Sequence, residues 1–313
     1  MCARFPPRPR GAGFFLSVVW LMVLVGCGGS DGQTGPGPGE GPPLEPAAAA
    51  AEARLALAAY RQLDDFLAGR TFTPPAEYAL RETLFAPLAV TGELYGGHER
   101  VPMGFVAVRE DVIHVALRGT STVEDWLANL DFPQAPVRWL PVSGRAYEGF
   151  LRVYGALRGP LLAAVDRLLA SGVYGRIAVT GHSLGGALAV LAAADLAQRT
   201  GLSVRMVNFG APRVGDPVFA AWYVGAVGDS WRVVNVHDPV PDLPPREVVD
   251  LSGGRPVVRT YVHVPRALRV AFGAETNPGG SHDLCGYHRV LCGAAPAPAA
   301  CRASAAALGC GGG

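Results

Sequence analysis

Lysine is absent from this 313-residue sequence. Its 27 basic side chains other than histidine are all arginine, set against 26 acidic ones, and the net charge is +1. No basic block or stripe disturbs that balance, so the electrostatic footprint of nucleic-acid binding is missing. No segment repeats. The N-terminal apolar run Phe14–Gly26 (FFLSVVWLMVLVG) holds about 13 residues where a bilayer span needs about 20. Cysteine is scarce, six in all, and the last four are separated by six to eight residues, spacings poor for a zinc knuckle. What remains is a chain that is 50% apolar, with about 230 residues between its two unusual ends, the size of one large α/β domain.

Arg4, Arg8 and Arg10 precede the apolar run, the order of an export signal. The run ends in Leu24-Val25-Gly26-Cys27, which resembles the lipobox of bacterial lipoproteins. The resemblance implies that residues 1–26 are removed and that Cys27 carries thioether-linked diacylglycerol and an amide-linked acyl chain. At about 0.8 kcal/mol per buried CH₂, one chain binds a membrane marginally and two or more hold it. Removing residues 1–26 takes away three arginines and no acid, so +1 becomes −2. By resemblance to known sorting rules, Gly28 after the cysteine favours the outer membrane. Residues 27–47 then read as the lipidated cysteine and a flexible Gly/Pro tether. In an exported chain Cys285, Cys292, Cys301 and Cys310 read as two disulfides, with three connectivities open.

Residues 48–293 carry the pattern of a folded domain, and 294–313 form an Ala/Pro/Gly-rich tail that depends on its cysteines for order. Ala48–Leu67 has strong helix formers and no breaker. Met103–Arg109 and Val112–Arg118 read as an antiparallel pair joined at Glu110-Asp111. Tyr147–Ala170 has a helix pattern that Gly159-Pro160 interrupts. Beyond it, strands at Arg176–Thr180, Val204–Phe209, Trp231–Val236 and Val257–Val264 alternate with helices at Leu184–Gln198 and around Pro217–Val227. Such alternation predicts an α/β fold, a mostly parallel central sheet with helices on both faces.

The sharpest motif is Gly181-His182-Ser183-Leu184-Gly185, a G-x-S-x-G with a strand running in and a helix leaving. The same pattern at Gly28-Gly29-Ser30-Asp31-Gly32 lies in the tether with neither, and is set aside. A serine at the tip of so sharp a turn sits in strained φ/ψ, and side chains at 181 and 185 would collide with passing backbone. The turn exposes Oγ at a helix N-terminus, where N–H groups favour developing negative charge. Serine needs a base, and the base an orienting acid, here in the chain order Ser, Asp/Glu, His. Asp238 ends an apolar strand run, at the C-terminal edge where open α/β sheets place their sites. Asp216, just before Pro217, reads as a helix cap, and Asp242 is the fallback acid. His263 reads as a strand residue and His182 as a packing residue. His282, in a Gly/Ser loop, and His288, on the helix-like segment after it, both stand as bases. The loop after an early strand should supply the second oxyanion donor, which selects the Thr120 N–H beside that of Leu184.

Several further segments follow one another in a single order. They are Leu117-Arg-Gly-Thr-Ser-Thr122, Asp125-Trp-Leu-Ala-Asn129, Gly149-Phe150, the serine motif, Asn208-Phe-Gly-Ala-Pro-Arg-Val-Gly215, Asn235-Val-His-Asp-Pro-Val-Pro-Asp-Leu-Pro-Pro245 and Ser281-His-Asp-Leu284. Together, over roughly Pro102–Leu291, they resemble the class 3 (fungal-type) lipases of the α/β-hydrolase superfamily. The resemblance implies an α/β-hydrolase fold with Ser183 as nucleophile, Asp238 as acid and His282 as base. It places the oxyanion hole at Thr120 and Leu184, and a lid over the stretch that begins at Ser121. There Val123, Trp126, Leu127 and Leu130 form an apolar side suited to a greasy cleft. It also implies hydrolysis of lipid carboxylic esters through an acyl-enzyme, triacylglycerol first, with no metal or organic cofactor. Phospholipids cleaved in the A1 manner and short-chain esters are the alternative substrates. Tyr147 stands where the family often carries histidine, and reads as structural. The rival from another class is a silent hydrolase fold that only binds at the surface; covalent labelling by a fluorophosphonate would separate the two.

Overall fold

Central strands that are buried at nearly every position need cover on both faces, and this accounts for the architecture. The computed structural model describes residues 43–93, 95–120, 132–250, 254–274 and 278–310. Cys27 with the export signal, and the lid residues Ser121, Val123, Trp126, Leu127 and Leu130, lie outside the described residues. Strands run β1 (Ala79–Pro87), β2 (Arg100–Arg109), β3 (Val112–Leu117), β4 (Gln134–Pro136), β5 (Arg145–Tyr147), β6 (Arg176–His182), β7 (Val204–Phe209), β8 (Asp229–Asn235), β9 (Glu247–Asp250), β10 (Val257–Thr260) and β11 (Ala267–Val270). The central sheet has seven of them in the order β1-β2-β3-β6-β7-β8-β11. Its first three strands pair antiparallel, and every later neighbour joins parallel. The α/β class expected from the alternation is the one observed.

The main helices are α1 (Pro46–Leu67), α2 (Glu148–Leu169), α3 (Leu184–Thr200), α4 (Pro217–Ala226), α5 (Leu284–Gly293) and α6 (Pro298–Ala303). On β3, Ile113, Val115 and Leu117 pack into a cluster with α2, α3 and α4, while Ala116 turns to a cluster with α1. On β7, Val204 and Met206 face the first group, and Val207 and Phe209 face α1 and α5. This period-2 partition puts helices on both faces. Each fully buried Val, Leu or Phe side chain contributes about 1.5–3 kcal/mol. Every residue of α3 from Leu184 to Ala197 is buried, and its many alanines let the helix lie close to the sheet. Among the described residues no helix is long and apolar enough to cross a membrane.

Two expectations need amendment. Helix α2 runs unbroken through Pro160. Gly159 and Pro160 are exposed, so water can take up the carbonyl that the missing N–H leaves free. The strand expected at 257–264 stops at Thr260 and forms a separate antiparallel hairpin with β9. The edge strand beside β8 is the four-residue β11 instead, too short to show a period. Tail residues 294–310 are folded: α6 follows α5, Ala305 is fully buried, and Cys301, Leu308 and Cys310 pack against the cluster of α1 and α5. The disulfides are Cys285–Cys310 and Cys292–Cys301, one loop nested inside the other, so neither Cys292 nor Cys301 offers a free thiolate to a metal.

Candidate active site

Ser183 lies between the end of β6 and the start of α3, with φ 57° and ψ −128°. A non-glycine residue held there stores strain, of the order of 1–3 kcal/mol, which the surrounding backbone must enforce. That enforcement is visible. A Cβ on Gly181 would come 2.2 Å from the Gly185 carbonyl oxygen, and one on Gly185 would come 2.4 Å from that of Leu117. Ser183 N–H donates to the Phe209 carbonyl on β7 (3.0 Å), which anchors the turn to the neighbouring strand. The flanking glycines are thus required by close approach, as the motif predicts.

Asp238 follows β8 and meets His282 directly: Nδ1 of the ring lies 2.7 Å from Oδ2. Two further donors reach the carboxylate, the Tyr287 hydroxyl at 2.7 Å on Oδ2 and the Val240 N–H at 2.9 Å on Oδ1. Tyr287 in turn accepts the Asn235 N–H (3.0 Å). The Asn235 side chain grips the loop that carries the histidine, donating to the carbonyls of Phe272 (2.9 Å) and Ser281 (2.8 Å). Because Nδ1–H faces the carboxylate, Nε2 of a neutral His282 is the free lone pair. That atom is buried and makes no hydrogen bond within the described structure. The ring lies 4.5 Å from that of His182, the residue before Ser183, so Ser183, Asp238 and His282 converge at one edge of the sheet.

Thr120, buried, lies on the loop leaving β3. The register Leu117↔Gly181 sets that loop beside the elbow. Leu184 is the first residue of α3, where N–H groups have no intrahelical partner. The peptide joining Gly119 to Thr120 is held by Arg118, whose Nη1 donates to the Gly119 carbonyl at 2.7 Å. The guanidinium also bonds the Pro102 carbonyl through Nε (2.7 Å) and both carboxylate oxygens of Glu93 (2.8 Å each). Strained nucleophile, oriented imidazole and backbone donors at a helix N-terminus together suit acyl transfer.

The other candidates take different places. His288 points to Cys292 Sγ (3.5 Å), and burial lowers its pKa to about 4; it does not reach Asp238. Asp242 is exposed and pairs with Arg213. Asp216 caps α4 by accepting the Phe219 N–H at 2.8 Å. His263 lies beyond the end of β10 and bonds the Pro241 carbonyl (2.8 Å). Tyr147 stacks edge-on with Phe132 and Phe150. Tyr287, Asn235 and Glu93 escaped the sequence reading. A tyrosine inside a helix and an asparagine ending a strand carry no spacing signal of their own.

Residues 114–248 match the family described as lipase (class 3). A lipase of Rhizomucor miehei is 45% identical over 151 residues, 46% of this chain and 41% of the relative. A phospholipase A1 of Oryza sativa subsp. indica is 36% identical over 229 residues, 61% of this chain and 52% of the relative. The chain therefore spans about half the length of these curated relatives, or less. Among solved structures it is similar to a triacylglycerol lipase whose catalytic centre is formed by a serine protease triad. The TM-score is 0.57 and the identity 29%, covering 71% of this chain and 78% of that one.

Proposed function

Residues 114–248 belong to the class 3 lipase family, and on that premise we propose that the chain is a serine hydrolase of lipid carboxylic esters, triacylglycerol first among them. The observation that carries this reading is the 2.7 Å Asp238–His282 pair, with a free, buried Nε2 next to the strained serine turn. Ser183 Oγ attacks the ester carbonyl carbon while His282 Nε2 takes its proton. Asp238 holds the Nδ1–H tautomer and stabilises the imidazolium. The Thr120 and Leu184 N–H groups receive the oxyanion, each worth about 3 kcal/mol at the transition state. His282 returns its proton to the departing alcohol and leaves an acyl-Ser183. Water then attacks that ester by the same route in reverse. Ser183→Ala should abolish turnover and fluorophosphonate labelling in a chain that still folds. Normal ester turnover by that variant would refute the assignment.

Phospholipids are the second substrate class, supported by the likeness to a phospholipase A1 and by the expected membrane tether. Rates on tributyrin, a nitrophenyl ester chain-length series and phosphatidylcholine separate the classes. A rate jump at the solubility limit of tributyrin favours the triacylglycerol reading. Residues 121–130 are assigned as the lid over the cleft, with residues 48–293 as the hydrolase domain. Cys27 is assigned as the acylated anchor, residues 28–47 as its tether, and the outer membrane as its site. Replacing Cys27 with alanine should move activity from the membrane to the soluble fraction; activity that stays with the membrane would count against the anchor.

A further inference from the structure

Three hydrogen bonds outside the triad link the loop before Thr120, the serine turn and the loop of His282. The Gly119 N–H donates to the Tyr60 hydroxyl oxygen at 3.0 Å. That hydroxyl lies 2.8 Å from His182 Nδ1, and His182 Nε2 lies 2.8 Å from the backbone carbonyl oxygen of His282. The proton order follows from the last link. A carbonyl only accepts, so Nε2 carries the hydrogen. Burial, reinforced by His282 alongside, keeps His182 well below the usual histidine range, so the ring is neutral and Nδ1 is a bare acceptor. Tyr60, whose ionisation burial pushes up, therefore donates to Nδ1 and keeps a lone pair for Gly119. One proton arrangement satisfies every member.

We propose that Tyr60 is a positioning residue for ester hydrolysis: holding the Gly119 N–H and the His182 ring at once, it keeps the Thr120 amide and the His282 main chain in register with Ser183. This rests on the serine-hydrolase reading of the site. Tyr60 sits on α1, outside the residues matched to the family. Its hold on Gly119 complements that of Arg118. Tyr60 fixes the peptide entering Gly119, and Arg118 fixes the one leaving it, which bears the Thr120 N–H. There is no slack between them, since a Cβ on Gly119 would come 2.6 Å from the Tyr60 hydroxyl and 2.8 Å from Ser183 Cβ. Misplacing reacting groups by about 1 Å costs about 100-fold in rate, and a loosened oxyanion donor acts on the transition state more than on substrate binding.

The test compares full-length wild type, Ser183→Ala, Tyr60→Phe, His182→Leu and the Tyr60→Phe/His182→Leu double variant on p-nitrophenyl butyrate. Circular dichroism establishes which variants are folded at the assay temperature. Tyr60→Phe keeps the ring and removes only the hydroxyl. It should lower kcat about 10–100-fold and slow fluorophosphonate labelling by a similar factor, with KM within about threefold. Combining it with His182→Leu should add little further loss, because the two act through one chain. An active wild type and inactive Ser183→Ala, with kcat of either folded single variant within twofold of wild type, would overturn the positioning role and leave the hydrolase reading intact. So would effects that multiply in the double variant. Normal turnover by Ser183→Ala, or no ester turnover by wild type, would overturn both.

Discussion

Replacing Glu93 by leucine breaks, from one side, the buried ion pair behind the loop that carries Thr120. The Glu93 and Arg118 side chains are 3% and 0% exposed, so solvent screens neither. The guanidinium places four N–H donors, two on Glu93 and one each on the Pro102 and Gly119 carbonyls. Glu93→Leu leaves a cation in the interior whose remaining partners, among the described residues, are the Pro102 and Gly119 carbonyls. Breaking a buried pair from one side costs about 3–5 kcal/mol, a large part of the 5–15 kcal/mol that typically separates folded from unfolded chains. Urea unfolding should show the midpoint falling at unchanged slope. The double variant Glu93→Leu/Arg118→Met removes the stranded charge and should recover most of that loss, to within about 2 kcal/mol of wild type. It should still turn over esters slowly, because the Gly119 carbonyl has lost its donor. A Glu93→Leu chain destabilised by less than about 1 kcal/mol would refute the reasoning, for Arg118 would then be neutralised by something other than this carboxylate.

Tyr287→Phe removes the second hydrogen bond on Asp238 Oδ2 and strands the Asn235 N–H. It should lower kcat about tenfold, roughly one charge-assisted hydrogen bond, with KM nearly unchanged; steady-state kinetics decide. Serine at both Cys285 and Cys310, which close a 25-residue separation, should cost about 3.5 kcal/mol by loop entropy, against about 2.6 for the nine-residue Cys292–Cys301 pair. Thermal unfolding with and without reductant checks the order. His288, with its pKa lowered to about 4 from 6.5, binds its proton more readily when unfolded. Its contribution is therefore fully present above about pH 6.5 and lost as the pH falls toward 4, about 3 kcal/mol in all. A His288→Gln chain should show a shallower acid slope in pH-dependent urea unfolding, and an identical slope would remove the histidine from the account.

The parts of the site legible in the sequence are those fixed by local chain geometry. Gly181 and Gly185 announce the serine turn because a side chain at either would overlap backbone within 2.5 Å, a constraint written in residue type. Asp216 shows itself as a cap for the same reason. The choice between His282 and His288 is of another kind: they are six residues apart, and only the orientation of α5 decides that one meets Asp238 while the other faces Cys292. Strands β1 and β11 were equally hidden. The first carries no clean alternation, and the second spans four residues at an edge, half covered on each side. The disulfide pattern depends on α6 folding back over α5, a tertiary event with no local signature.

The same division explains how the site is held together. Parallel pairing of β3, β6, β7 and β8, in registers such as Leu117↔Gly181, His182↔Phe209 and Phe209↔Val233, brings the loops bearing Thr120, Ser183 and Asp238 out at one edge as a consequence of topology. His282 has no such guarantee, for it lies well past the end of β11, just after a helical turn at Pro278–Ser281. Side chains must do for it what the sheet does for the others. Asn235 fixes the carbonyl of Ser281, His182 fixes that of His282, and Asp238 fixes the ring. Each of these anchors comes from the end of a sheet strand or the loop just after it, so the sheet's rigidity is passed to the histidine through buried polar groups. A loop tied this way keeps its imidazole aimed at the serine turn without a strand of its own.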